Sequence, residues 1–234
     1  MAREISLDTE TTGLDPNSGH RIVEIGAVEM IDHIATNNSF HCYLNPERDM
    51  PIEAENVHGL SSEFLSDKPL FRNVAGDFLD FIGDSTLIIH NAQFDMKFIN
   101  WELKNIGIPQ IPMTQTLDTV KVARKKFPGQ PANLDSLCRR FNIDLSARTK
   151  HGALLDAELL ADVYLELMGG RQSALLLDTA KPEDTRIIEA HQNAEIERAP
   201  IEARHFEPSA DELKRHKKFL EQIKEPLWEK LESA

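Results

Sequence analysis

Hydrophobic positions along this chain change their period several times, and each change marks an element. Ile5 to Leu7, Ile22 to Met30 and Phe40 to Leu44 are short β-rich runs broken by Gly, Asn, Asp and Pro, the punctuation of strands joined by turns. Val74, Phe78, Phe81 and Ile82 then fall at i, i+4, i+7 and i+8, the one-face spacing of an amphipathic helix. Thr86 to His90 is a further strand candidate. Phe94, Phe98 and Trp101 restore the helical period, and helices follow over Leu117 to Lys126, Leu134 to Phe141 and Ala153 to Met168. Strands first, then strand–helix alternation, predict an α/β domain on a mixed sheet.

The helical pattern stops at Gly169-Gly170, where a glycine pair suits a helix C-cap. From Asp178 to Glu207 no apolar face is sustained, and the composition is that of a linker. Ser209 with Glu212 three residues on reads as a capping box. It opens a last helix whose apolar stripe runs through Leu213, Leu220, Ile223, Leu227 and Leu231, with a break expected near Pro226. The predicted organisation is a globular domain over 1–170, a linker over 171–208 and a helical tail over 209–234, without internal repeats.

Composition narrows the class. The 234 residues are 41% hydrophobic and 28% charged, ordinary for a soluble globular protein. No run of eighteen apolar residues occurs, so no membrane span is expected. Met1-Ala2-Arg3-Glu4-Ile5 enters a strand pattern at once, with no secretory apolar segment, which predicts the cytoplasm. Cys42 and Cys138 each sit in an apolar pattern without a CxxC spacing, and read as small buried hydrophobes rather than a disulfide or zinc ligands. The net charge of −13 runs against the basic footprint of nucleic-acid binders. An acidic chain that acts on DNA needs bound divalent metal, or a partner that holds the DNA, to offset phosphate repulsion.

Three fragments carry candidate chemistry. In Leu7-Asp8-Thr9-Glu10-Thr11-Thr12-Gly13 the two acids stand at i and i+2, so on a strand they project to one side. They are either two ordinary acids at a solvated strand end or a pair held together by a hard divalent cation. In His90-Asn91-Ala92-Gln93-Phe94-Asp95 the acid falls in a first helical turn, as a plain helix-start residue or as a ligand. In His151-Gly152-Ala153-Leu154-Leu155-Asp156 the acid lies amid apolar residues, where an unpaired carboxylate is costly and a metal ligand is not. His151 is read either as a loop histidine satisfied by backbone or as part of that site.

Taken together and in this order, Asp8, Glu10, Asp95, His151 and Asp156 resemble the four carboxylates and one histidine of the DEDDh exonucleases. The resemblance spans about the first 170 residues. It implies a ribonuclease H-like fold, a mixed central sheet of about five strands flanked by helices, and two divalent cations, Mg²⁺ or Mn²⁺, held by the four acids with Asp8 bridging. Two such ions can clamp the attacking and leaving oxygens of a phosphodiester. His151 would serve as general base toward water, and the product would be a nucleoside 5′-monophosphate cut from a 3′ end. Thr11, Leu14, His58, Asn91 and Phe94 are the candidate substrate contacts. His58 is read equally as a loop-ordering residue, and Phe94 first as core. Asp118 matches a family acid but reads as structural support or a helix cap.

Phe127-Pro128-Gly129, Leu134-Asp135-Ser136-Leu137-Cys138 and Gly169-Gly170-Arg171-Gln172 resemble one branch of that family, the proofreading epsilon subunits of bacterial DNA polymerase III. The branch implies a DNA 3′ end as substrate, the polymerase III α subunit as partner, and possible contact with a small third core subunit. Gln172, Leu175 and Leu177 resemble its sliding-clamp motif, departing by ending in Leu, which implies weak binding; the alternative is a helix-end cluster packing on its own domain. In the tail, Leu213, Phe219, Leu220, Ile223, Leu227 and Trp228 would form the polymerase-binding face, since an amphipathic helix needs a partner for its apolar side. The rival readings are a DEDDh exoribonuclease of the oligoribonuclease or ribonuclease T type, and an inactive nucleic-acid-binding module. The tail argues against the first and the intact acid set against the second.

Overall fold

The computed structural model describes residues 2–146, 148, 150–170 and 208–222. Gln172, Leu175, Leu177, Ile223, Leu227, Trp228 and most of the expected linker lie outside the described residues. The described residues fall into two units.

Strands β1 (Arg3–Thr11), β2 (Ile22–Ile31), β3 (Ile34–Tyr43), β4 (Thr86–Ile89) and β5 (Thr116–Asp118) form one sheet in the order β3-β2-β1-β4-β5. β1 is central, antiparallel to β2 and parallel to β4. Helices α1 (Ile52–His58), α2 (Ser62–Leu65) and α3 (Phe71–Ile82) join β3 to β4, and α4 (Ala92–Asn105) joins β4 to β5. α5 (Thr119–Lys126), α6 (Leu134–Phe141) and α7 (Ala153–Leu167) follow. This is the expected mixed sheet of five strands flanked by helices.

Alternation along the strands assigns the two faces. Ile5 and Leu7 of β1, Ile25 and Ala27 of β2, and Leu87 and Ile89 of β4 are buried with Phe78 and Ile82 of α3 and Phe98, Ile99 and Leu103 of α4. The opposite face is thin in apolar side chains. Met30 and Ile88 meet Ala161 and Tyr164 of α7 there, while the residues that β1 turns toward α7 are Glu4, Ser6, Asp8 and Glu10. A smaller core seats α7 on α5 and α6 through Leu137, Cys138, Leu160 and Val163.

Three elements depart from the pattern-based expectation. β3 begins at Ile34, ahead of Phe40, because its first half is an edge strand carrying Thr36, Asn37 and Asn38 toward solvent. Leu117 and Asp118 are not helical; they form β5, three residues paired in parallel with β4 and too short to show a period. α1 and α2 were not expected, and His58 ends α1, where Gly59 adopts a left-handed φ of 80°. The other helices start within three residues of their predicted first positions.

In the second unit, α8 (Ala210–Leu220) carries the predicted capping box. Ser209 and Glu212 bond reciprocally, and Leu213 and Phe219 are 54% and 59% exposed.

Candidate active site

β1 is a strand whose α7-facing row is polar throughout, so each member needs a partner. Glu4 accepts from Tyr164 Oη at 2.7 Å and lies 2.7 Å from His33 Nδ1. Ser6 Oγ donates to the Ala157 carbonyl at 2.7 Å. That contact needs α7 close to the sheet. Ala153, Ala157 and Ala161 recur at one-turn spacing, and a Cβ on Gly26 of β2 would lie 2.2 Å from the Ala153–Leu154 backbone. Asp8 and Glu10, at the far end of the row, open onto a cleft of about 440 Å³.

Two helix starts bring the other acids to the same cleft. Asp95 stands in the first turn of α4, where its Oδ1 accepts from Thr9 backbone N–H at 3.1 Å and from Thr9 Oγ1 at 2.7 Å. Asp156 stands in the first turn of α7; both positions favour an anion through the helix dipole. His151 precedes α7, its N–H bonded to the Val57 carbonyl at 3.2 Å, which ties the loop to α1. The cleft is thus lined by Asp8, Glu10, Asp95, His151 and Asp156 together. Glu10, His151 and Asp156 each bring an atom within 4.8 Å of the others'.

The electrostatics follow from crowding. Burial, then the charges of Asp95, Glu10 and Asp156, pushes Asp8 well above the usual carboxylate range, against the pull of Arg148. Burial and the neighbouring Asp156 and Glu24 push Glu10 up to about 8. Burial pushes Asp95 up to about 7, partly offset by the Thr9 hydrogen bonds. Such an arrangement is costly as four free anions and favourable around positive charge. The donors are hard oxygens, the kind that suit Mg²⁺ or Mn²⁺, so the residues fit a divalent cation.

A second cavity of about 590 Å³ adjoins the first, with Glu10, Thr9 and Phe94 lining both. The β1–β2 loop and α1 build it, and Thr11, Leu14 and His58 line it. Leu14 is 82% exposed at its rim. His58 Nδ1 accepts from the Leu60 N–H at 3.0 Å, so the proton sits on Nε2, which is buried and makes no hydrogen bond. The loop-ordering bond is therefore present. Phe94 packs on Phe98 in the core while its ring edges both cavities. Asn91 is exposed and lines neither; it holds a left-handed φ of 71°, and its N–H donates to Asp118 at 3.3 Å. Asp118 also caps α5 through the Val120 N–H at 3.0 Å, the structural role expected for it.

Some residues at the site were not singled out from sequence. Arg148 grips Asp156 with Nε and Nη2, each at 2.6 Å, and also pairs with Asp135. Thr9 orients Asp95, and Gly26 admits α7. Glu24, buried opposite Glu10 on β2, is held by His41 at 2.7 Å. A glycine inside the apolar run Ile22–Met30 was a readable signal of close backbone approach; an arginine in a polar loop was not.

Residues 5–164 match the exonuclease (RNase_T) family. The chain is 54% identical to the DNA polymerase III subunit epsilon of Rickettsia conorii, over 94% of this chain and 96% of that protein. It is 49% identical to the subunit of the same name from Escherichia coli K12, over 74% of each. Among solved structures it resembles exonuclease X in complex with 5′ overhanging duplex DNA, with 26% identity, a TM-score of 0.55, and cover of 72% of this chain and 91% of that one. The nuclease domain of 3′hExo, a DEDDh family member bound to rAMP, shares the fold at 18% identity and a TM-score of 0.61, over 71% of this chain and 91% of that one.

Proposed function

This chain belongs to the exonuclease family, with the DNA polymerase III epsilon subunits among its relatives, and from that premise we propose that it removes mispaired nucleotides from DNA 3′ ends as 5′-monophosphates. The observation that carries the reading is the convergence of Asp8, Glu10, Asp95, Asp156 and His151, from three separate elements and a loop, on one cleft.

In this reading the four carboxylates hold two divalent cations, Mg²⁺ or Mn²⁺, which stabilise the charge that develops on the phosphate. His151 takes the proton of the attacking water. It stands at the cleft mouth, 49% exposed, close to Glu10 and Asp156. The terminal nucleoside enters the adjoining cavity, which Thr11 and His58 line. Leu14 and Phe94 offer apolar surface to a base at the rim, binding that tolerates any sequence. Asn91 acts through its backbone at the start of α4 rather than by touching substrate.

The remaining assignments rest on resemblance and on α8. Gln172, Leu175 and Leu177 in the 171–208 segment dock weakly on the sliding clamp, and the 209–234 segment binds the polymerase α subunit through a face that includes the exposed Leu213 and Phe219. The protein then works in the replisome, with the small third core subunit as a further candidate partner.

The test is digestion of a 5′-labelled, mispaired DNA primer with Mg²⁺ or Mn²⁺, comparing the wild type with His151→Ala. A 3′-shortening ladder that requires metal, and that slows by about 10²–10⁴-fold in the variant, is expected. A folded wild type that cuts nothing would return the chain to the inactive binding-module reading, and cutting of RNA alone to the exoribonucleases.

A further inference from the structure

Positive charge already sits in the acid cluster. The Arg148 side chain is 9% exposed, and its Nε and Nη2 each donate to a different oxygen of Asp156 at 2.6 Å. Nη2 also donates to His151 Nδ1 at 2.8 Å, and Nη1 pairs with Asp135. One guanidinium therefore joins a proposed metal ligand to the proposed general base. The fork engages both oxygens of Asp156, and a guanidinium and a divalent ion on one buried carboxylate would repel at short range. They compete for it.

We propose that Arg148 is the resident cation of this site, a latch that holds Asp156 and His151 together until a divalent ion takes Asp156 and displaces the guanidinium. The inference rests on the reading that these acids bind divalent ions. Asp135 on α6, 42% exposed, remains a partner for the released side chain, so Arg148 need not be left unpaired. Release also leaves Asp156 Oδ2, 3.2 Å away, as the remaining partner of His151 Nδ1, so metal on Asp156 would link the arrangement of the base to occupancy of the site. Arg148 is on this account a positioning residue, acting through Asp156 and His151. The competition lowers the apparent affinity for metal by the fraction of molecules in which Asp156 is free.

The experiment measures Mn²⁺ binding by calorimetry, and melting in EDTA and in saturating Mn²⁺, for the full chain and for Arg148→Met and Arg148→Lys. Arg148→Met is expected to melt below the wild type in EDTA, to rejoin it in Mn²⁺, and to bind Mn²⁺ about tenfold more tightly, the gain when a competing state populated about nine to one is removed. Arg148→Lys, which keeps the charge and loses the fork, is expected to fall between. An equal melting deficit in both conditions, or equal or weaker Mn²⁺ binding by Arg148→Met, would overturn the latch. If that variant does not fold, tighter binding by Arg148→Lys supports the latch and unchanged binding overturns it. A wild type that takes up no Mn²⁺ would overturn the metal-site reading itself, a result distinct from either.

Discussion

Asp8, Glu10 and Asp95 are carboxylates whose protons leave late, because burial and one another's charge oppose ionisation. The sign of the consequence is fixed by linkage. Between about 4.5 and about 8, Glu10 keeps its proton in the folded state and loses it in the unfolded one; Asp95 behaves likewise between about 3.8 and about 7. The native state binds more protons there, so stability falls as pH rises. Melting in EDTA should therefore drop steadily from pH 5 to pH 8, and saturating Mn²⁺ should flatten the slope, which a melting series in both conditions checks. A flat EDTA series would show these acids to be ordinary. Asp8 and Glu10, two apart, Asp95 in a first helical turn and Asp156 amid apolar residues were each weak signals, and their order became legible through its resemblance to the DEDDh set. Arg148 was not legible, since its carboxylate partners come from α6 and α7 and no local motif announces them.

α7 supplies Asp156, is preceded by His151, and covers the polar row of β1, so its seating decides the site. Gly26 is the point of closest approach. In Gly26→Ala the new methyl would lie 2.2 Å from main-chain atoms of Ala153 and Leu154, which cannot turn aside as a side chain could. The variant is expected to lose about 1–3 kcal/mol, as overpacked sites do, and to lose about 10²-fold in exonuclease rate as Asp156 shifts. Denaturant midpoints and primer digestion check both; normal activity would mean that α7 tolerates displacement. At this scale the sequence spoke clearly where an element had a buried face. β2, α3, α4, α6 and α7 lay close to their predicted positions, while β5 and the first half of β3 were hidden by shortness and by edge polarity.

The whole chain carries a net charge of −13 and gathers acids where DNA would have to come. In the proposed reading cations would offset this at the cleft but not over the rest of the surface, and a tether to a protein already holding DNA would supply the missing affinity as effective concentration. Deleting 209–234 should leave digestion of single-stranded 3′ ends intact and abolish co-purification with the polymerase III α subunit. Tight binding by the truncated protein would sink the tether. Only α8 bears on this structurally, through its capping box and exposed Leu213 and Phe219; the remainder of the 209–234 segment was a reading of spacing and resemblance.

If Asp8 and Glu10 hold metal as proposed, durability and reaction would pull the acidic row of β1 two ways. Asn at position 8 or Gln at position 10 would relieve the repulsion and fit nearly the same space, so natural variation filtered for heat resistance alone would drift toward inert descendants. Sites shaped by reaction commonly oppose the optimum for durability. On the proposed role of Asp8 and Glu10, β1 is a stretch whose wording answers to chemistry, and a laboratory lineage bred for robustness without an activity screen would erase it first there.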